Sequence, residues 1–243
     1  MRNLVFGKNV IENLLIHHSK IIKCLYFATS QLELFKDKVV NFPVEIWTEE
    51  QFDKYFPKEK HQKIAAEIKE FPSYSFIELL KNIEQEPSKR LILVLDRIQD
   101  PQNFGAIVRT AVACGVDTII IVKTKQAPIN ATLAKVSSGT VFAAKLVIVA
   151  NLHNALLKLK KAHFWIVSAE MKGQTAYDET NFSRENVVLI LGNEANGVSP
   201  LLQKISDFVV YIPMIYTESL NVNASAAILL YEIRKQQHFW KKT

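Results

Sequence analysis

The chain has 243 residues, long for one hydrophobic core, and reads as two unequal domains. Hydrophobic residues make up 49% and charged residues 22%, which excludes disordered, collagen-like and coiled-coil chains. The net charge of +6 favours encounters with polyanions such as RNA, although a Lys-rich solvated surface accounts for it equally well.

The charge surplus is uneven: residues 1–75 carry 11 basic and 10 acidic side chains, and residues 76–243 carry 19 and 14, so the excess lies mostly in the second part. The longest apolar runs, at 91–95, 119–122 and 187–191, are strand-sized and far short of the roughly 20 residues that span a bilayer, so no membrane partner is expected. The first residues show neither an apolar signal segment nor an Arg/Ser-rich presequence, and a cytoplasmic location is expected. Cys24 and Cys114, without any Cys-x-x-Cys, fit a reducing compartment and read as small buried hydrophobes.

In chain order, the apolar stripe at 10–16 predicts a short helix, and 21–27 and 44–47 predict strands, so residues 1–75 read as a small α/β domain. Phe71-Pro72-Ser73-Tyr74-Ser75 breaks this pattern. A helix at 76–83 and the polar stretch 84–90 follow, and 76–90 reads as a linker. From Leu91 onward, strands at 91–95, 118–122, 146–149, 164–168, 187–191 and 208–212 are interspersed with helices at 104–114, 133–138, 152–162 and 224–235. For residues 91–243 this predicts an α/β fold, a parallel sheet with helices on both faces, in which ligands sit beyond the carboxyl ends of the strands.

Three loops at such positions carry polar groups. In the first, Asn103 is an N-cap candidate, and Arg109 falls at the edge of the apolar face formed by Ala106, Ile107, Ala111 and Val112. There it is either aimed at an anion or held on the surface by its packed stem. In the second, an apolar strand ends at Leu191-Gly192 and Glu194 follows in a loop closed by Gly197. Gly192 either lets the backbone approach a ligand or belongs to a plain strand-to-helix turn. In the third, Pro213 ends a strand ladder, and Ser219, Asn221 and Asn223 precede a small-residue helix; N-capping explains one of these three side chains, not all.

The six histidines show no metal-ligand spacing and no Cys pairs accompany them, so no metal site is expected. Ser137-Ser138-Gly139 and Ser219 lack the G-x-S-x-G elbow of a serine hydrolase. Phe239 and Trp240, with Lys241 and Lys242, read as a helix end packed on its own domain rather than as an RNA-stacking platform.

Taken together, Asp100-Pro101-Gln102-Asn103-Phe104-Gly105-Ala106 through Arg109-Thr110-Ala111, Leu191-Gly192-Asn193-Glu194 through Gly197, and Ile212-Pro213-Met214 through Ser219-Leu220-Asn221-Val222 resemble, in order and spacing, the three motifs of the SpoU, or TrmH, family of RNA ribose 2′-O-methyltransferases. Residues 5–15 and His61-Gln62 are similar to the small RNA-binding domain of the RlmB-like branch, whose members act on a 23S rRNA guanosine. The resemblance implies a trefoil knot at the C-terminal end of the sheet, S-adenosylmethionine held around Leu191, Gly192, Ile212, Met214 and Leu220, an rRNA or tRNA substrate, and a homodimer. It places Asn103, Arg109, Glu194, Ser219 and Asn221 at polar positions of the catalytic site, and the apolar helix face Ala226, Ala227 and Leu230 reads as a two-fold interface. Asn223, Ser225 and Lys63 depart from the family pattern; the first two bear on a hydrogen bond in the third motif and the last on the RNA-binding domain. Arg109, a poor base, is expected to hold a phosphate and stabilise alkoxide charge, with Glu194 or Ser219 orienting it. The rival reading is an RNA-binding protein of the same fold without catalysis.

Overall fold

The computed structural model describes residues 3–85, 90–183, 186–217 and 219–240. The chain divides into two compact units: residues up to 72 together with 128–143, and residues 73–127 together with 144 onward. No helix among the described residues is long and apolar enough to cross a membrane.

The first unit begins β1 (Asn3–Phe6), α1 (Lys8–His18), β2 (Ile22–Phe27), α2 (Thr29–Leu32), β3 (Val44–Ile46), α3 (Glu49–Tyr55) and β4 (Ile64–Ile68). Its four-stranded sheet runs β1-β4-β2-β3, with β4 antiparallel to both neighbours and β2 parallel to β3. Residues 64–66 thus form a central strand, and Ala65 packs in a core with Phe6, Tyr26, Trp47, Phe52 and Phe56. Alanines carry little strand propensity, so the pattern gave no strand there. Helix α3 begins with a capping box between Thr48 and Gln51.

His61 and Gln62 have structural partners. The His61 ring stacks on Phe52 at 5.2 Å, its Nδ1 accepts the Lys63 N–H at 3.1 Å and its Nε2 lies 3.2 Å from Asp53. Gln62 accepts the Lys8 N–H at 3.0 Å, satisfying a free donor at the start of α1. Gln62 and Lys63 both have φ of +57°, in the left-handed region, where glycine would sit without the steric cost of a side chain.

The second unit contains α4 (Phe76–Gln85), β5 (Leu91–Asp96), α5 (Pro101–Ala113) and β6 (Thr118–Val122). After α6 (Ala131–Val136), which belongs to the first unit, it resumes with β7 (Leu146–Val149), α7 (Leu152–Lys161), β8 (Phe164–Ala169), β9 (Thr175–Ala176), β10 (Asn186–Gly192), α8 (Pro200–Gln203), β11 (Phe208–Tyr211) and α9 (Val222–Gln236). Its seven strands are all parallel and ordered β7-β6-β5-β10-β8-β11-β9. Strand side chains alternate between two covers: Ile92, Val94, Val188 and Ile190 pack with α4, α7 and α8, while α9 and α5 lie over the opposite face.

The helix expected at 76–83 is present as α4 and extends to Gln85, and residues 86–89 lie outside the described residues. One element departs from the sequence pattern. Helix α6 and the 3₁₀ turn Thr140–Phe142 fold with the first unit. Gly139, at φ +83°, sits so close to α1 that a Cβ would lie 2.7 Å from the Asn9 carbonyl oxygen. Periodicity marks which residues are buried, not what buries them.

Helix α9 is pinned through Arg234, which is 1% exposed. Its guanidinium donates to the Cys114 carbonyl at 3.1 Å, to Asp117 at 3.1 Å, to Gln237 at 2.8 Å and to the Gly115 carbonyl, and it lies 4.2 Å from the Phe239 ring centroid. Burial holds its pKa below the usual arginine value, with Asp117 opposing. Phe239 packs on its own unit against Gly115, and Lys241 and Lys242 lie outside the described residues. Of the residues expected at a two-fold interface, Ala226 and Leu230 are fully buried within the chain, and Ala227 is partly exposed.

Candidate active site

A cavity of about 420 Å³ opens in the second unit where β8, β10 and β11 end, its walls made by the segments that follow them and by the start of α9. Its size falls within the roughly 300–1,000 Å³ of small-molecule sites.

The central wall is the loop after β10. Asn193 and Gly197 exchange backbone hydrogen bonds of 3.1 and 2.8 Å, and the Asn193 side chain accepts the Ala195 N–H at 2.9 Å, which leaves Glu194, Ala195 and Asn196 exposed at the tip. Gly192 owes its identity to this return. A Cβ there would lie 2.0 Å from the Gly197 carbonyl carbon and 2.1 Å from the Val198 nitrogen, so backbone-to-backbone packing alone requires glycine. Gly197 has φ of +62° and carries the Glu170 carboxylate over its Cα.

Two carboxylates fix the far side of the loop. Glu170, just past β8, accepts the Val198 N–H at 2.5 Å, and Asp96, at the end of β5, accepts the Ser199 N–H at 2.8 Å. Asp96 is also paired with Arg97, at 2.9 Å from its Nε. Burial pushes the Glu170 carboxyl above the usual carboxylate range and nearby Asp96 adds to the rise, while the Val198 N–H opposes it.

The first loop differs from the sequence reading in one respect. Asp100, not Asn103, caps α5, accepting the Gln102 N–H at 2.9 Å with Pro101 in the first turn. Asn103 is thereby available for tertiary contacts. Its amide donates to Glu194 at 2.8 Å, and its oxygen accepts from the Asn223 amide at 3.4 Å. The departure at Asn223 thus supplies a link between the first and third motifs. Asn221 caps α9 by accepting the Asn223 N–H at 2.9 Å, and Ser225 donates to the Asn221 carbonyl at 3.4 Å.

Leu191, Gly192, Ile212, Met214, Leu220, Glu194, Ser219 and Asn221 all line the cavity. Asn103 adjoins it through Glu194. Arg109 does not line it and is exposed on α5. Sequence reasoning missed Glu170, Met171 and Leu229, which also line the cavity. The available signal for Glu170 was a charged residue just past an apolar strand, at the same carboxyl edge as the motif loops.

Comparison with known proteins identifies the family. Residues 90–231 match the model of the SpoU rRNA methylase family. The chain belongs to that family. The SpoU match is joined by a second, to the RNA 2′-O ribose methyltransferase substrate-binding family, over residues 4–74. An uncharacterized tRNA/rRNA methyltransferase of Borreliella burgdorferi is 37% identical over 179 residues, covering 73% of this chain and 75% of the relative. Among solved structures, an AdoMet-bound rRNA methyltransferase from Sinorhizobium meliloti is 26% identical with a TM-score of 0.79, over 98% of this chain and 88% of that one. The TrmH/SpoU tRNA modifying enzyme of A. aeolicus is 32% identical with a TM-score of 0.57, over 68% and 85%. This SpoU chain is accordingly an RNA methyltransferase in class.

Proposed function

We propose that the protein transfers a methyl group from S-adenosylmethionine to a ribose 2′-hydroxyl of RNA, with a 23S rRNA guanosine as its target. The observation that carries the reading is the cavity at the carboxyl edge of the parallel sheet, walled by the second and third motif loops, with the Asn103 to Glu194 hydrogen bond tying the first motif to its rim. The residues present suit the cofactor. Leu191, Ile212, Met214, Leu220 and Leu229 offer apolar surface for a base, and carboxylates face a ligand that carries positive charge. When bound, S-adenosylmethionine supplies a methyl group already activated by its sulfonium, so the protein's task is alignment and removal of the hydroxyl proton.

The proposed residue roles combine this geometry with the family resemblance. Asn103 holds Glu194 at the rim, and Asn221 and Ser225 keep the start of α9 in place beside Ser219. Arg109 holds the phosphate next to the target ribose and stabilises alkoxide charge, oriented by Glu194 or Ser219. Following the family resemblance, Arg109, which does not line the cavity of its own chain, serves that of a second copy in a homodimer. The first unit binds the RNA, a reading supported by its match to a substrate-binding family.

The test is calorimetry with S-adenosylmethionine, followed by incubation with labelled cofactor and RNA and analysis of the nucleosides. Binding together with a 2′-O-methylguanosine in 23S rRNA is the expected result. A methyl on a base, or no transfer to any RNA, overturns the reading, and modification of tRNA alone overturns its rRNA half.

A further inference from the structure

The charged side chains lining the cavity, among the described residues, are two carboxylates, Glu170 and Glu194, with no lysine, arginine or histidine. They differ in setting. Glu194 is exposed at the loop tip and its Oε1 is taken by the Asn103 amide. Glu170 is half-buried at the end of β8. Its Oε1 takes the Val198 N–H; among the described residues neither glutamate's Oε2 makes a hydrogen bond, so burial is what sets Glu170 apart. A partly buried carboxylate with an unengaged oxygen in a cavity without cations gives that cavity a negative potential.

We propose that Glu170 is a specificity-determining residue of the cofactor site, selecting the cationic methyl donor over its demethylated product. This rests on the reading of the cavity as a site for S-adenosylmethionine. The donor and S-adenosylhomocysteine share adenine, ribose and amino-acid groups; they differ by the methyl group and by the single positive charge on sulfur. Apolar and backbone contacts treat the two almost alike, whereas a fixed carboxylate attracts only the sulfonium. The burial that disfavours the Glu170 charge in the free protein is offset when a cation enters. Once the methyl group has left, that attraction disappears and the neutral thioether is held more weakly, which assists product release.

The experiment is calorimetry of full-length wild type, Glu170→Gln and Glu170→Ala with S-adenosylmethionine, S-adenosylhomocysteine and sinefungin, whose amine carries a charge near the sulfonium position. Glutamine keeps an acceptor for the Val198 N–H but removes the charge. Glu170→Gln should weaken the donor and sinefungin about tenfold and the demethylated product about twofold or less, the scale of one charge interaction in a partly solvated site. Glu170→Ala should weaken all three further, because the loop also loses its clamp. If Glu170→Gln weakens all three equally, or none, the charge-selection role is wrong while the cofactor site stands. If the wild type binds none of the three, the proposed function itself fails and this inference falls with it.

Discussion

Replacing Gly192 by alanine probes the tightest backbone approach at the site. The added Cβ would meet Gly197 and Val198 at 2.0 and 2.1 Å, against the roughly 3.5–4.0 Å of ordinary carbon contacts, and the atoms it meets are main chain that no rotamer can move aside. The loop must retreat by more than about 1 Å, which strains the paired Asn193 and Gly197 hydrogen bonds and the Glu170 clamp on Val198. Overpacking costs about 1–3 kcal/mol and each lost hydrogen bond about 1 kcal/mol, so a destabilisation of about 3–5 kcal/mol is expected. For a chain of this size that lowers Tm by about 10 °C. Thermal melts and urea titrations of wild type and Gly192→Ala measure it, with Ala195→Gly at the exposed tip of the same loop as the control that should barely change. A melt within about 2 °C of wild type with unchanged cofactor affinity refutes the packing argument. An unchanged melt with lost affinity means that Gly192 faces the ligand after all.

Two further outcomes follow from local chemistry. Lys63→Gly should stabilise the protein by about 0.5–1 kcal/mol, since relief of a left-handed φ outweighs the extra chain entropy of glycine and the exposed ion pair to Glu49; a urea midpoint below wild type contradicts this. Burial pushes the Cys114 thiol up to about 11, so it should resist alkylation at pH 8 in the native protein while half-buried Cys24 reacts sooner. Its folded pKa lies above its unfolded value, so its contribution to stability is complete below about pH 9 and is lost as pH rises toward 11. Mass-spectrometric labelling that finds Cys114 modified first refutes the burial.

The parallel sheet was legible because strands buried on both faces read as continuous apolar runs such as Leu91 to Leu95 and Val187 to Leu191, and each run appears as a strand in register with its neighbour. The short or polar elements were not legible: β1 has four residues, α3 is Glu-Glu-Gln-Phe-Asp-Lys-Tyr, and β9 has two residues. For the site, the motif loops named most of the cavity lining, but not which side chain bonds to which. Asn103 looked like a cap because Asn favours caps, and Asp100 three residues earlier took that role with Pro101 beside it. Glu170 lay outside every motif, and only the strand order β10-β8-β11 brings its position to the cavity.

That strand order also accounts for how the site divides its labour. Loops far apart in sequence converge because β10 lies between β5 and β8, and β11 lies beyond β8, so the turns after four strands meet at one edge. Polar side chains at that edge are engaged mainly with one another: Asn103 with Glu194 and Asn223, Asn193 with its own loop, Asn221 with the first turn of α9, Asp96 with Ser199. Such mutual satisfaction makes the loops rigid, and rigidity is what an alignment-driven transfer needs. It also leaves few side-chain groups to address a ligand, so backbone and apolar surface must supply shape while the half-buried Glu170 carboxylate supplies charge. On this account a substitution among the mutually bonded residues should disturb the binding of donor and product together, and only a change at Glu170 should separate them.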